Sequence, residues 1–525
     1  MTAARSDVDE ARHLVALKED MQHVVDRYDD VPDEVMFAGA EHDEEHDEGG
    51  PQEQPVHGGD HVELVELDVP AAWDDAHVAD ALADHLRGGW LYVAMWGRWL
   101  RWDGTRWATD DTEAVHEQAR QWVVELGATL FRIGASSDDL RRCAGYRNRT
   151  RLDAVLTMSR RIAGVAARAG EFDQDLDLLN LTNGTMEMRT GTLLDHDPAH
   201  RITKVCPVHY RPGAEHPDVQ ELLRVVDDDM RPWLQRLIGY AATGHTSEDV
   251  VPVADGPGGN GKSTLLEALG AVLGDYASAA PPQLVMRTAH DQHPTMKADL
   301  LGRRLVWISE TEEGGAFRME QVKALTGGDQ ISARFMRGDF FTFTPTHTLL
   351  IATNHRPAVN STELAAWRRL RLVPFPFTYR PAAEAGAGDR VQDPALRWRL
   401  THEPAQREAL LAWIVDGARE WYAHGLGTCA TVSAATRSWR QAEDVILRFI
   451  TECIEFDASA ETRGRELYLA FSDWCTAEGR KAKSNKNFSS DFLAHETVTE
   501  ADINKVNRQN VVFYKGVKVR GTERF

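Results

Sequence analysis

The segment Gly256-Pro257-Gly258-Gly259-Asn260-Gly261-Lys262-Ser263 matches the phosphate-binding loop pattern G-x-x-x-x-G-K-[ST] at every position. An apolar run from Val250 to Ala254 precedes it, and Thr264 to Leu273 follows with apolar residues at helical spacing. The sequence therefore predicts a strand, a glycine-rich loop and a helix N-terminus in that order. Glycines let backbone N–H groups surround a phosphate, and the helix end adds partial positive charge.

Two side chains of this loop have expected roles in binding a nucleoside triphosphate. Lys262 is expected to reach the β- and γ-phosphates, and Ser263 to hold Mg²⁺. Further contacts are expected from the rest of the loop and the start of the helix, that is, from Gly256, Pro257, Gly258, Gly259, Asn260, Gly261 and Thr264. The alternative is a glycine-rich turn that only caps a helix. Pro252 fits the preceding strand poorly, because proline cannot donate the N–H that a central strand requires.

Polar residues follow two further segments that read as buried strands. Arg303 to Ser309 leads into Glu310, and Thr346 to Thr353 leads into Asn354. Ligands bind at the carboxyl ends of parallel strands. Glu310 is therefore expected to orient the attacking water or to bind Mg²⁺ through water, with Glu312 as the alternative acid. Asn354 is expected to sense the γ-phosphate.

Arginines near the end of this region suggest a contribution from a second subunit. Arg368, Arg369 and Arg371 follow Trp367 in the segment RRLRLVPF. An arginine without an acidic neighbour in the sequence is a candidate finger that acts across a subunit interface. A structural ion pair is the alternative for one of the three.

A basic hairpin is predicted between the two strands that end at Glu310 and Asn354. The stretch ISARFMRGDFFTFTPT alternates around Arg337-Gly338-Asp339, which indicates a β-hairpin with an exposed turn. Arg337, together with Lys323 and Arg334, is expected to contact a phosphate backbone without reading its sequence.

Composition limits the class of protein. The chain has 525 residues and a formal net charge of −23, and residues 1–60 carry −14 of that charge. This acidic segment with few apolar residues predicts disorder, so the charge does not exclude DNA binding by the remaining chain. The sequence has no apolar run long enough for a membrane span and no signal-peptide pattern. Its five cysteines lack a C-x-x-C pair, which favours a reducing, cytoplasmic compartment over a zinc or disulfide framework.

The segment between the acidic tail and the loop predicts an α+β domain. Residues 76–86 and 113–170 have helical patterns, and a tryptophan-rich segment between them alternates around Asp103-Gly104, which predicts β-hairpins. We favour a buried aromatic core for these tryptophans over stacking on bases. The arginine-rich helices that follow fit either nucleic-acid contact or a solvated helix face.

A second pattern in this domain concerns Asp175 and Asp177, which share one face of a predicted strand. They resemble a metal-binding pair, but no recognisable carboxylate or histidine partner accompanies them. A structural role is therefore favoured.

The last ~95 residues predict a separate small domain. Helices at Val445 to Ile454, Glu466 to Glu478 and Asn487 to Ala494 precede a terminal hairpin that turns at Lys515-Gly516. Helices followed by a two-stranded wing suggest a winged helix. Basic residues that include Lys515 and Lys518 favour DNA contact, with a solubilising basic surface as the alternative.

Taken in order, the motifs resemble the phage and plasmid primase/helicase family related to the poxvirus primase-helicase, within superfamily 3 helicases. The resemblance rests on LNLTNGTMEMRTG, GPGGNGKST, LVWISETEEG, KALTGGDQISARF, LLIATNHRP and WRRLRLVPF. It runs from roughly Ala76 through the C-terminal domain. The ATPase motifs are specific as a set, and the flanking domains match more loosely.

The resemblance implies a ring-forming, AAA+-like ATPase, hexameric in the family's pattern, that moves along single-stranded or forked DNA with ATP and Mg²⁺. It assigns nucleotide and Mg²⁺ binding to Lys262 and Ser263, the acidic catalytic role to Glu310, and the sensor role to Asn354. It makes Arg368 or Arg369 the finger and places the hairpin around Arg337 in the pore.

One departure from the family bears on function. Larger members carry a primase domain upstream, whereas here an acidic segment of about sixty residues precedes the helical region. We therefore expect no primer synthesis by this polypeptide and a separate primase or polymerase partner. The leading hypothesis is a replicative DNA helicase of a phage or related mobile element, located in the bacterial host cytoplasm if phage-encoded. Two other classes are an origin-binding initiator whose ATPase drives assembly, and a P-loop kinase for a small molecule.

The predicted fold is an α/β AAA+-like P-loop ATPase core with an α+β N-terminal domain and a C-terminal winged-helix-like domain. The predicted boundaries are 1–60 for the acidic tail, 61–217 for the N-terminal domain, 218–380 for the ATPase core, 381–428 for a linker and helical lid, and 429–525 for the C-terminal domain.

Overall fold

The structure, a computed structural model, describes residues 69–287, 295–309, 314–336, 338–359, 364–480 and 482–520, with only the backbone of residues 364 and 365. The predicted acidic tail and the candidate residues Glu310, Glu312 and Arg337 lie outside the described residues. The chain divides into two compact units. The first runs to Gln174 and includes residues 198–203, and the second comprises residues 175–197 and the chain from Lys204 onward. The predicted domain boundaries stay a prediction.

The first unit packs helices beside a small sheet. Its elements are the helices Asp75–Leu86 (α1), Ala114–Arg132 (α2), Ser137–Gly145 (α3) and Arg149–Ser159 (α4), and the strands Trp90–Val93 (β1), Arg98–Trp102 (β2), Trp107–Thr109 (β3) and Ala166–Ala167 (β4). The sheet order is β3-β2-β1-β4. Trp90 and Trp107 are buried, and Trp96, Trp99 and Trp102 pack partly buried against the apolar clusters. The tryptophan-rich segment is thus mainly a core element.

The second unit contains the remaining elements. Its strands are Leu178–Leu181 (β5), Gly184–Glu187 (β6), Thr192–Leu194 (β7), Val251–Asp255 (β8), Ala277–Ala280 (β9), Leu305–Ser309 (β10), Ile331–Arg334 (β11), Phe340–Phe343 (β12), Thr348–Thr353 (β13), Leu370–Pro374 (β14), Tyr379–Arg380 (β15), Arg390–Val391 (β16), Ile454–Arg463 (β17), Asn504–Arg508 (β18) and Val511–Val519 (β19). Its helices are Pro217–Leu223 (α5), Arg231–Thr243 (α6), Lys262–Leu273 (α7), Thr295–Ala298 (α8), Met319–Thr326 (α9), Leu364–Trp367 (α10), Leu396–His402 (α11), Pro404–His424 (α12), Ala430–Glu443 (α13), Val445–Cys453 (α14), Gly464–Ala477 (α15), Asn485–Ala494 (α16) and Glu496–Glu500 (α17).

A parallel five-stranded sheet forms the centre of the second unit, in the order β14-β8-β13-β10-β9. This confirms a mixed α/β fold with a parallel sheet. All six residues of β13 are buried, as expected for a strand covered on both faces. Alternate residues of β13 enter two separate cores. Leu350 and Ala352 pack in the cluster that includes α7 and α12, while Leu349 and Ile351 pack in the cluster that includes α9.

The register of β8 explains why Pro252 is tolerated inside the sheet. On the β14 side, the N–H of Val251 donates to the carbonyl of Arg369 at 2.7 Å, and the pairing continues through Pro252. Successive N–H groups of a strand point to opposite neighbours, so the missing donor of Pro252 faces β13. The pairing with β13 begins only at Val253. The proline therefore stands before that ladder starts.

The C-terminal part combines α14 to α17 with a three-stranded antiparallel sheet of order β17-β19-β18. The predicted hairpin turn at Lys515-Gly516 is wrong. The turn lies at Gln509 and Asn510, whose φ angles of 47° and 63° are both positive, and Lys515-Gly516 lies inside β19. Two left-handed residues suit the twist of a two-residue hairpin loop. Strand β17, which precedes α15, was not predicted.

Among the helices that the structure describes, none combines the length and apolar character that a membrane crossing requires.

We expect acid to destabilise the second unit through His347, the residue before β13. Its side chain is 2% exposed, and burial lowers its pKa to about 4. The unfolded chain takes up this proton near pH 6.5 and the folded chain only near pH 4, so stability is lost as the pH falls through that window. His347→Leu should remove roughly 3 kcal/mol of this acid-dependent loss. Urea unfolding between pH 7 and 4 measures it.

His424→Leu is the matched control, because the His424 side chain is 67% exposed. It should leave the pH dependence of unfolding unchanged. An identical pH dependence in His347→Leu and the wild-type chain would contradict the assignment.

Candidate functional site

The glycine-rich loop connects the end of β8 to the start of α7, as predicted. Gly261 precedes the helix with φ of 83°, a conformation that side chains rarely adopt. A Cβ there would also lie 2.4 Å from Cγ1 of Val225. Both its conformation and its surroundings therefore require glycine at this position.

The loop is closely packed against the chain that follows β14. A Cβ on Gly256 would lie 2.0 Å from Nδ2 of Asn260 and 2.6 Å from the carbonyl oxygen of Phe375. The N–H of Tyr379 donates to the carbonyl of Gly259 at 2.7 Å. Asn260 itself is 2% exposed. The loop shape is thus fixed by residues more than a hundred positions further along the chain.

Lys262 lies at the centre of this site, with only 6% of its surface exposed. Its Nζ donates to the carbonyl of Gly256 at 2.8 Å, to Oδ1 of Asn260 at 3.0 Å and to Oδ1 of Asn354 at 3.1 Å. All three acceptors are neutral. Burial lowers the pKa of Lys262 to about 8, and the negative charge of Asp255 opposes that shift.

Parallel strand pairing brings Asn354 to this lysine. Thr353 pairs with Asp255, and the N–H of Gly256 donates to the carbonyl of Thr353 at 3.3 Å. The residues that follow the two strands therefore emerge side by side. Ser309, the last residue of β10, pairs with Ala352 at the same edge of the sheet.

The other predicted nucleotide contacts line the loop and the first turn of α7. Pro257, Gly259 and Ser263 are exposed, whereas Gly258 and Thr264 are half-buried. The structure thus leaves the Ser263 side chain open to solvent one residue beyond the buried lysine.

The three candidate arginines occupy different environments. Nη1 of Arg369 lies 2.5 Å from Oδ1 of Asp249 in an ion pair. Arg371 donates to the backbone carbonyls of Arg368 and Leu370 at 2.6 and 3.0 Å. Arg368 is exposed, and no described carboxylate pairs with it. The structural ion pair expected for one of the three thus fits Arg369.

The hairpin of β11 and β12 is present, but its turn is more apolar than the sequence reading suggested. Met336 is 80% exposed, Phe340 62% and Phe335 42%. The guanidinium of Arg334 lies 5.2 Å from the ring centre of Phe340. Lys323 is half-buried on α9, which is a separate element. The alternation of the stretch could have revealed these apolar side chains, since they flank the turn.

The two predicted DNA-binding lysines of the C-terminal part both lie on β19. Lys515 is exposed, and Nζ of Lys518 forms an ion pair with Oε2 of Glu455 at 3.1 Å. Lys515 is thus the more available cation of the two.

In the predicted aspartate pair of Asp175 and Asp177, Asp177 has structural partners. Asp177 accepts hydrogen bonds from the Tyr422 hydroxyl, from Nε2 of His245 at 2.7 Å and from Arg189 at 3.1 Å. In the described part of the chain, no three His, Cys, Asp or Glu side chains group in a way that could hold a metal ion.

One pair beside the loop was missed by the sequence reading. Nε of Arg356 donates to Oδ2 of Asp255 at 2.8 Å, and Asp255 immediately precedes Gly256. The only sequence signal was the position of an arginine two residues after Asn354.

Two family profiles match the chain. Residues 79–228 match the family described as "D5 N terminal like". Residues 254–369, which include the loop and Asn354, match a family described as of unknown function.

The chain is also similar to proteins of large DNA viruses. It is 26% identical over 336 residues to a protein of African swine fever virus named as a primase, covering 59% of this chain and 35% of that protein. It is 25% identical over 295 residues to a protein of Acanthamoeba polyphaga mimivirus named as a helicase, covering 53% and 30%. The chain thus spans about a third of the length of the curated relatives it matches. An apo structure of the NrS-1 C-terminal region is 9% identical, with a TM-score of 0.43, and covers 85% of this chain and 100% of that one.

We expect Gly256→Ala to lower the free energy of unfolding by roughly 1–3 kcal/mol, because the added Cβ would collide with Asn260 and a backbone carbonyl. Urea unfolding followed by tryptophan fluorescence measures the change. Gly386→Ala is the control, since its nearest neighbour would lie at an ordinary 3.6 Å. Equal free energies of unfolding for the two variants would contradict the close packing of the loop around Gly256.

Proposed function

We propose, because the chain belongs to the phage and viral primase-helicase family, that it is an ATP-driven DNA helicase that forms a ring and moves along single-stranded DNA. The observation that carries the proposal is the contact between buried Lys262 and Asn354 at the ends of two adjacent parallel strands. The Lys262 ammonium group and the Asn354 amide would therefore contact the same phosphate group. The helicase names of viral relatives support the same class of activity.

The proposed nucleotide site holds ATP through the backbone of residues 256–264. Their fit is supported by the loop geometry, in which Gly256 and Gly261 leave no room for a side chain. Lys262 would exchange its neutral partners for the β- and γ-phosphates, Asn354 would sense the γ-phosphate, and Glu310 would orient the attacking water. Ser263 and Glu310 are the proposed Mg²⁺ ligands. Mg²⁺, when bound, neutralises charge that develops on the phosphates.

A second subunit is proposed to complete this site. Arg368 is exposed and has no described carboxylate partner, whereas Arg369 pairs with Asp249. We therefore prefer Arg368 as the finger that reaches the ATP of the neighbouring subunit. This requires a head-to-tail ring, for which we propose six subunits in an AAA+-like arrangement.

DNA contacts are proposed for the β11–β12 hairpin and the C-terminal domain. The exposed apolar side chains of the hairpin favour contact with bases, and Arg334 and Arg337 would contact phosphates. We propose that the C-terminal domain is winged-helix-like, which its helices and three-stranded sheet support, and Lys515 and Lys518 lie on one strand of that sheet. Forked DNA is the proposed substrate, a separate primase or polymerase the proposed partner, and the cytoplasm of a bacterial host the proposed location if the chain is phage-encoded.

The second candidate is an origin-binding initiator in which ATP drives assembly. The exposed Lys515 on the C-terminal sheet favours it, because double-stranded DNA binding could reside entirely in that domain. Initiation without strand separation would distinguish it from a helicase.

Lys262→Ala should abolish strand separation on a forked DNA substrate and reduce ATP turnover by at least about a hundredfold, because the main cation for the phosphates is lost. A fluorescent strand-displacement assay and phosphate release measure the two effects. Lys297→Ala, on the short helix α8, is the control and should keep both activities. Normal unwinding by Lys262→Ala would exclude the helicase proposal, and DNA-independent turnover would favour a small-molecule kinase.

Arg368→Ala should reduce turnover by about 10³-fold or more if the arginine acts across the subunit interface. In rings assembled from equal amounts of Arg368→Ala and Lys262→Ala subunits, about a quarter of the ATP sites should be active. At those interfaces a subunit with an intact lysine meets a neighbour with an intact arginine. Phosphate release from mixed rings measures the recovery. Recovery with Arg369→Ala in place of Arg368→Ala would make Arg369 the finger.

A further inference from the structure

An ion pair joins the two strand ends that form the proposed phosphate site. Asp255 is the last residue of β8, and Arg356 lies two residues beyond Asn354, which follows β13. Nε of Arg356 donates to Oδ2 of Asp255 at 2.8 Å. The side chain of Asp255 is 12% exposed and that of Arg356 is 47% exposed. The carboxylate is therefore largely covered, and the arginine is its described cationic partner.

Lys262 lies beside this carboxylate without bonding to it. Its Nζ contacts the carbonyl of Gly256, the residue next to Asp255, and its two other acceptors are amide oxygens. The charge of Asp255 nevertheless acts on the lysine. The lysine is thus close to a carboxylate that is occupied by another cation.

The difference between neutral and charged partners matters for phosphate binding. A buried lysine leaves a neutral acceptor for a phosphate with little loss, since a hydrogen bond to a neutral group is the weaker kind. An ion pair with a partly buried carboxylate would be much harder to exchange, because a charged pair is strong where water is scarce. A free Asp255 would therefore compete with the nucleotide for Lys262.

We propose that Arg356 is a positioning residue that holds Asp255 away from Lys262 and so keeps the lysine available for phosphate. The proposal rests on the proposed ATP site. Arg356 acts through Asp255 and Lys262 and does not itself touch the nucleotide. Its loss should weaken ATP binding while leaving the chemical step almost intact once ATP is bound.

The test compares four variants of the full chain: Arg356→Gln, Asp255→Asn, their double variant, and Arg211→Gln. Binding of ATP is measured without DNA by equilibrium titration, and KM and kcat are measured with DNA. Arg356→Gln should raise the Kd and KM for ATP by about tenfold and change kcat by less than about twofold. The double variant should return Kd to within about threefold of the wild-type value, since no carboxylate then competes for the lysine.

Arg211→Gln is the matched control for losing an arginine from a covered carboxylate. Arg211 and Glu408 form an ion pair at 3.2 Å, with the side chains 75% and 13% exposed. Arg211→Gln should leave the Kd for ATP unchanged. Thermal unfolding checks that each variant is folded.

Three results would overturn the proposal. A double variant as weak as Arg356→Gln would mean that Arg356 contacts the nucleotide directly. An unchanged Kd in Arg356→Gln would mean that Asp255 does not compete for Lys262. ATP binding that is absent from the wild-type chain would refute the ATP site as well as this inference, whereas the first two results leave the ATP site standing.

Discussion

The pairing of β8 with β13 is the constraint on which the site depends. Asp255 and Thr353 are register partners, so Gly256 and Asn354 follow at one edge of the sheet. Lys262 then donates to both of these residues from the first turn of α7. A shift of one residue between the strands would turn alternate side chains to the wrong face and separate the amide from the lysine. The buried apolar residues of β13 oppose such a shift, because they fill two different cores.

The same arrangement explains how a lysine can be buried without an anionic partner. Three neutral acceptors satisfy the ammonium group, and burial still lowers its pKa to about 8. A charge held this way costs energy, which a phosphate can recover on binding. The covered carboxylate of Asp255 would remove that benefit if it were free. The ion pair between Asp255 and Arg356 and the three neutral acceptors of Lys262 therefore have the same effect, because both leave the lysine without an anionic protein partner.

Local patterns predicted the parts of this fold that depend on short segments. The apolar runs gave strands β8, β10 and β13, and the loop motif gave the start of α7. The sequence could not predict that β14 lies beside β8 or that pairing with β13 begins only after Pro252. It therefore could not explain why a proline is tolerated in this strand. The glycine of Lys515-Gly516 led to a wrong prediction of the hairpin turn at that position. The turn instead uses Gln509 and Asn510, whose left-handed conformations the sequence alone rarely reveals. The partners of Arg356 and Arg369 lie about a hundred residues away, beyond the reach of any local pattern.

Strand β13 links the two ends of the proposed motor. Its carboxyl end delivers Asn354 to Lys262, and its amino end follows the hairpin of β11 and β12. A fully buried strand in a closely packed interior behaves as a rigid element, because no side chain can yield without displacing a neighbour. In the proposed helicase, a change in the hydrogen-bond partner of Asn354 would therefore be transmitted along β13 as a displacement of the hairpin. The exposed Phe335, Met336 and Phe340 lie at the far end of that path. The strand proposed to sense phosphate is thus covalently continuous with the surface proposed to hold DNA.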